Sequence, residues 1–252
     1  MKSFSGLIAG YDPGGDHKHG LAILTIESGA CKAVKTFGPE SARRSKSGAA
    51  LHSVRDVLTA LNEVGPIAAI GVDTLARWST SQGGWRQADK LLRNDYGAGE
   101  GGKGVALSVT APNSLYGSMS LNGMMVLLEL RKKWPSIHIT ETHPKVLYYA
   151  KTNKKYDYPV TRLEMDERLS KWLGHPEGFV ATKNDHEWDA VVSAYAAWMG
   201  FSGQWKRDLF QNPESADLVS PAGQDVHYWW PEQLPKETLI KSPQTLFAID
   251  WT

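Results

Sequence analysis

The stretch from Asp185 to Met199 constrains the fold more than any other part of the chain. Trp188, Val191, Val192, Tyr195, Trp198 and Met199 recur at helical spacing and form a broad apolar face, while Asp185 and Asp189 lie one turn apart on one edge. An apolar face that wide must pack on another layer. The rest of the sequence supplies one. Leu7 to Tyr11, Leu21 to Ile26 and Ala33 to Phe37 are short apolar runs separated by turn-rich stretches containing Gly14-Gly15 and Ser28-Gly29, which predicts three consecutive strands in a meander.

Leu51, Val54, Val57, Leu58 and Leu61 then share a helical stripe that ends at Gly65-Pro66, and Ile67 to Val72 reads as a buried strand. A basic amphipathic helix is expected over Trp85 to Leu92, a weakly signalled strand at Val105 to Val109, an apolar helix over Leu121 to Leu130, a strand at Ile137 to Thr140 and a helix over Val160 to Leu173. The series β-β-β-α-β-α-β-α predicts an α/β fold with a mixed sheet, three antiparallel strands followed by parallel ones, flanked by helices. Residues 1–201 read as one domain. Residues 202–252 are rich in Pro, Gln and Trp with little periodicity and read as a C-terminal extension packing on that core.

Composition excludes several classes of function. The net charge of +1, from 28 Lys and Arg against 27 Asp and Glu, gives no global field for a polyanion or a membrane surface, so nucleic-acid contact has to come from a local patch. One cysteine, Cys31, forms no internal disulfide framework and supplies no thiolate metal site alone, which makes a reducing, cytoplasmic location the default expectation. The run Leu7-Ile8-Ala9 is too short for a signal sequence or a membrane span, and no membrane role is expected.

The acidic residues fall at the ends of the expected elements: Asp12 after the first strand, Asp73 after the fourth, Glu141 after the last, and Asp185 with Asp189 on the final helix. Open α/β sheets assemble sites at strand ends, and carboxylates converging there repel one another unless a hard cation such as Mg²⁺ or Mn²⁺ neutralises them. Two such ions about 3.5–4 Å apart suit hydrolysis of a phosphodiester. Each residue also has a plainer role open to it. Asp12 lies in Asp-Pro-Gly-Gly turn chemistry, Asp73 could cap the next segment, Glu141 could pair with Lys145, and Asp185 competes with Asn184 as an N-cap. Asp189 lies inside the helix, where Asp has poor propensity. His186 is either a base beside the acids or a solvated first-turn residue. His143 could orient Glu141 or reach substrate. Arg77, Arg86, Lys90 and Arg93 could form a phosphate-contacting ridge or an ordinary solvated face. The ten tryptophans are read as packing residues.

Gly10-Tyr11-Asp12-Pro13-Gly14-Gly15 followed by Gly20-Leu21-Ala22 resembles the first hairpin of RNase H-like nucleases, in particular bacterial Holliday-junction resolvases, in which the aspartate is a metal ligand. Asp185, His186 and the pair Asp189-Ala190 resemble the terminal catalytic helix of the same resolvases. Gly71-Val72-Asp73-Thr74-Leu75, the segment Arg86 to Arg93 and Glu141-Thr142-His143-Pro144 are similar to a family of uncharacterised, predicted RNase H-like nucleases, so the resemblance spans roughly residues 6 to 200. Two departures stand out. Thr74-Leu75 follows Asp73 where that family tends to have a proline, and His186 replaces one acid of a doubled pair.

The resemblance implies an RNase H-like fold and a nuclease cutting DNA or RNA, with Mg²⁺ or Mn²⁺ held by Asp12, Asp73, Glu141, Asp185 and Asp189, and His186 assisting proton transfer. A homodimer that aligns two sites is compatible with it. Two other readings stay open: a non-catalytic descendant working as a binding or assembly module through its Trp-rich tail, and, lower, an actin-like ATP-binding protein, which would need a second Asp-Gly hairpin. Gly97 to Gly104 nearly spells a phosphate-binding loop but has Gly104 where Ser or Thr would hold metal, and Asp16, His17, His19 and Cys31 have no recognised zinc spacing.

Overall fold

The computed structural model describes residues 4–15, 18–39, 51–97, 117–177, 179 and 181–232. The chain opens with the expected meander: β1 (Gly6–Asp12), β2 (Gly20–Glu27) and β3 (Ala30–Phe37), paired antiparallel in sequence order. Helix α1 (Val54–Val64) starts at Ser53, whose hydroxyl accepts the Asp56 N–H, and buries Val57, Ala60 and Leu61. It returns the chain to β4 (Ala69–Val72), which lies parallel to β1 with Gly10 opposite Gly71.

After a two-residue strand β5 (Trp78–Ser79) come α2 (Gln87–Tyr96) and α3 (Gly117–Lys133), the latter packed against α1. Strand β6 (His138–Glu141) then joins β4 in parallel. Three more helices follow among the described residues: α4 (Pro144–Thr152), α5 (Tyr158–Trp172) and α6 (Asp185–Phe201). The basic helix sits slightly later than its periodicity suggests, because Arg86 is drawn into an N-capping arrangement with Asp89 and the helix starts only after it. Helix α4 is not among the expected elements; Pro144 at its first position presets the helical φ. The strand expected at Val105 to Val109 and nearly all of the glycine-rich loop lie outside the described residues, as do Asp16 and His17.

The main sheet has the order β3-β2-β1-β4-β6-β9, three antiparallel strands continued by parallel ones and flanked by helices. Helix α6 lies across its centre, touching β1, β2, β4 and β6, and is buried from Glu187 to Gly200. That closeness depends on glycines. A Cβ on Gly10 would stand 1.9 Å from the Ala190 carbonyl oxygen, and one on Gly71 1.9 Å from that of Ser193. The two glycines are adjacent in register and clear the track on which the helix backbone rests.

The residues after α6 complete the sheet. Strands β7 (Arg207–Asp208) and β10 (Trp229–Trp230) pair with each other, β8 (Leu218–Val219) pairs with β5, and β9 (Val226–His227) adds to the edge in parallel with β6. The Trp229 N–H donates to Thr140 Oγ1 at 3.1 Å, and the fully buried Trp230 donates from Nε1 to the Tyr96 hydroxyl at 2.9 Å. Among the described residues no helix is long and apolar enough to cross a membrane.

His227 clasps this edge between two carboxylates, with Nδ1 2.9 Å from Asp208 Oδ2 and Nε2 3.1 Å from Asp225 Oδ1. The Asp208 hydrogen bond raises the His227 pKa, opposed by burial. Burial pushes Asp208 up, but His227 and the amides of Tyr228 and Phe210 bring it below the usual carboxylate range. The histidine contribution is therefore complete below the ordinary histidine pKa and fades as pH rises through the raised one; the aspartate contribution fades only as pH falls through the lowered one. We expect His227→Asn to cost about 1–2 kcal/mol more at pH 6 than at pH 9 in urea unfolding; an equal loss at both pH values would refute this account of the clasp.

Candidate functional site

Strands β1 and β4 end side by side, so Asp12 and Asp73 are brought together by register alone. The Asp73 amide donates to the Tyr11 carbonyl at 3.0 Å, which continues the β1–β4 ladder one residue past the strand. The first turn of α6 comes down over the same end. Asn184 caps it by accepting the Glu187 N–H, and this sets His186 and Asp189 facing the sheet. His186 Nδ1 lies 2.6 Å from Asp12 Oδ2. Asp12 and Asp189 are buried, Asp73 is half-buried, and Asp185 stands at the rim with its carboxylate 4.0 Å from His186 Nε2.

The electrostatics of this group are dominated by repulsion in a dry setting. Burial raises the pKa of Asp12, partly offset by its bond to His186. Burial and then the Asp12 charge hold Asp73 well above the carboxylate range, and the same two causes act on Asp189. Burial works against a charged His186, but the Asp12 hydrogen bond and charge outweigh it and raise its pKa. Asp189 Oδ1 is buried without a well-formed hydrogen bond, and the equally buried Tyr156 hydroxyl is its hydrogen-bonding neighbour.

Two members of the site carry no clear signal in the sequence. Lys145, in the first turn of α4, is half-buried and feels Asp189, Asp73, Asp12 and Asp185; their charges raise its pKa against the opposing effect of burial. Tyr156 stacks edge-on against Trp188 at 5.5 Å, and its buried hydroxyl is driven far above the normal phenol pKa by burial and by the Asp189 charge. Pro144 could have marked the helix start that puts Lys145 there; nothing in the local sequence singles out Tyr156.

Glu141 belongs to a different network. Arg86 grips it through two bonds, Nη1 to Oε2 at 2.7 Å and Nη2 to Oε1 at 2.5 Å, and the Ala76 amide donates to Oε2 at 2.8 Å. The same guanidinium holds Asp89 through Nε at 2.9 Å and Nη2 at 2.6 Å. Burial opposes its charge, yet Glu141 and Asp89 hold the Arg86 pKa well above normal. Two expectations are corrected here. Both Glu141 oxygens accept hydrogen bonds, which sets it apart from the other acids, and its partner is Arg86 rather than Lys145. Arg86 is not part of a solvent-facing phosphate ridge, since it is only 1% exposed.

The other basic candidates scatter. Arg77 is half-buried, donates from Nη2 to the carbonyls of Gln224 and Val226 at 2.7 Å each, and lies over the Phe210 ring, which makes it a clamp on the C-terminal segment. Arg93 lies over Trp85 at 5.1 Å, and Lys90 is exposed on α2. His143 is the half-buried N-cap residue of α4. The structure thus gathers Asp12, Asp73, Asp185, His186 and Asp189 and leaves the ridge without its central member.

Among the described residues no three His, Cys, Asp or Glu side chains close into a coordination shell. The match to a cation rests on donor chemistry: oxygen-only carboxylates that repel one another suit a hard ion such as Mg²⁺ or Mn²⁺. The Arg86 network and the acid group should also respond differently to neutralisation. Glu141→Gln leaves a buried guanidinium half-paired and should cost about 3–5 kcal/mol in urea unfolding; a loss under about 1 kcal/mol would show that the network does not hold the end of β6. No family model matches the chain, and no curated protein or solved structure is significantly similar to it.

Proposed function

We propose that the protein is a divalent-cation-dependent phosphodiester hydrolase of RNase H-like architecture acting on DNA or RNA. The observation that carries this reading is the trio Asp12, Asp73 and Asp189, at the ends of β1 and β4 and on α6, two of them buried and one half-buried, whose burial and crowding hold the Asp73 and Asp189 carboxyls well above the carboxylate range. The strand order β3-β2-β1-β4-β6, antiparallel then parallel with the last long helix crossing its centre, supports the RNase H-like assignment. So does the resemblance of the first hairpin and last helix to the resolvases.

Asp12, Asp73 and Asp189 would hold Mg²⁺ or Mn²⁺, with Asp185 at the rim within reach of the same centre. A cation bound there supplies polarisation of the scissile phosphate and activation of water. His186 is the proton-handling group. Its Nδ1 is fixed by Asp12, which leaves Nε2, facing the rim and Asp185, as the atom that takes or returns a proton. Exclusion of water falls to α6 and the strand ends, which bury Asp12 and Asp189 almost completely. Substrate attraction has to be local, given a net charge of +1, and Lys90 on α2 is an exposed cation on a helix that packs against α4.

Two measurements test the reading. Wild type should bind Mn²⁺ by calorimetry and cut members of a fluorescent DNA and RNA panel, while Asp12→Asn does neither; full metal-dependent cleavage by Asp12→Asn sinks the proposal. Asp189→Asn gives a second signature, because it removes a repelled buried charge as well as a ligand. In EDTA at pH 8 its Tm should exceed that of wild type, by about 2–4 °C for each kcal/mol released, and Mn²⁺ should stabilise it less than wild type. A Tm lower than wild type in EDTA would mean that Asp189 is a structural anion and no ligand.

A further inference from the structure

Lys145 is the feature of this region that the proposed reaction does not use. The turn that carries it is tied down on two sides. The Thr142 amide donates to the Val72 carbonyl at 2.8 Å, one residue before Asp73, and the Thr142 and Ser193 hydroxyls meet at 2.7 Å, one helical turn beyond Asp189. Pro144 then starts α4, so Lys145 stands in its first turn, near enough to Asp189, Asp73, Asp12 and Asp185 for all four charges to act on it. Its ammonium lies 5.4 Å from the centre of the Tyr156 ring, and Tyr156 in turn packs on Trp188, the neighbour of Asp189. Four carboxylates act on this one ammonium, yet among the described residues it forms no direct ion pair with any of them.

That placement is unlike the Arg86 network, where every carboxylate oxygen is met at hydrogen-bonding distance. An ammonium held on a flexible stem and balanced among several acids contributes charge without occupying any oxygen. We propose that Lys145 is an internal counter-ion of the carboxylate group, a tethered monovalent cation that competes with the divalent ion for the same field; this rests on the cation-dependent reading of the site. The competition is electrostatic and reciprocal. A divalent ion entering among the acids meets this positive charge; at roughly 6 Å even full water screening weakens its binding by about tenfold, and burial enlarges the effect. Without that charge only His186, bonded to Asp12, would offset the repulsion among the acids.

The two halves of this statement have opposite signs, which makes it testable without any turnover. Full-length wild type, Lys145→Met and Lys145→Arg are titrated with Mn²⁺ by calorimetry, and their Tm values are recorded in EDTA. Lys145→Met should bind Mn²⁺ at least about tenfold more tightly than wild type and melt lower in EDTA, and Lys145→Arg should restore both values toward wild type. Unchanged or weaker Mn²⁺ binding by Lys145→Met, with wild type binding normally, overturns the counter-ion assignment and leaves the proposed function standing. Failure of wild type and Lys145→Met alike to bind Mn²⁺ removes both. Should Lys145→Met not fold, the ammonium resonance of Lys145 in isotopically labelled wild type serves instead: it should shift along the Mg²⁺ binding curve, and a resonance that stays fixed to saturation overturns the inference.

Discussion

Everything distinctive about this molecule depends on how closely α6 lies on the sheet. A helix resting on a layer of ordinary side chains keeps its backbone well away from the strands. Here Gly10 and Gly71 present no side chain, and the carbonyls of Ala190 and Ser193 take up the space that a Cβ would need. The close approach brings the first turn of α6 to the ends of β1 and β4, and the acids on all three elements therefore share one small volume. With one more layer of side chains between helix and sheet, Asp189 would be an ordinary buried residue seeking a cap, and His186 would not reach Asp12.

Two ionic groups sit next to each other at this end of the sheet, built on opposite principles. Around Arg86 the planar guanidinium meets Glu141 and Asp89 in near-complete pairing, which fixes α2, β6 and the loop before β5 against one another. Around Asp12 the charges are left over: three buried or half-buried acids, a rim acid, a histidine and a lysine that pairs directly with none of the acids. A fully satisfied network adds rigidity, whereas an unsatisfied one stores free energy that a ligand can release. The first holds the end of β6 in place, and the second is suited to binding.

Much of the scaffold is legible in the sequence because it is written in periodicity. The meander, α1, β4, β6 and the last helix each have a run or stripe that admits one reading, and the positions of the acids at strand ends come from where those runs stop. The illegible part depends on side-chain partners chosen in three dimensions. Arg86 and Glu141 lie far apart in sequence, and each looks available, one for phosphate and one for metal; only their meeting shows that they neutralise each other. Helix α4 is short, and its apolar residues Val146 to Tyr149 are consecutive, so its periodicity is weak and Pro144 is the one sequence cue to where Lys145 stands. The edge strand β9 is two residues long, and such a strand is held by tertiary contacts, not propensity.

The arrangement also explains how a chain with almost no net charge can present a strongly polarised site. Potential at a point is set by the nearest unscreened charges, not by their sum over the molecule, and burial removes the water that would otherwise screen them. Arg86, the one fully buried cation near the acids among the described residues, is already saturated by Glu141 and Asp89, so it adds little to the field at Asp12. Of the described positive groups it is Lys145 and His186 that face the acids, the first on a flexible stem, the second fixed by a hydrogen bond to Asp12. The balance among the acids therefore turns on these two groups, and under the proposed reading a divalent ion entering among the acids would compete with both.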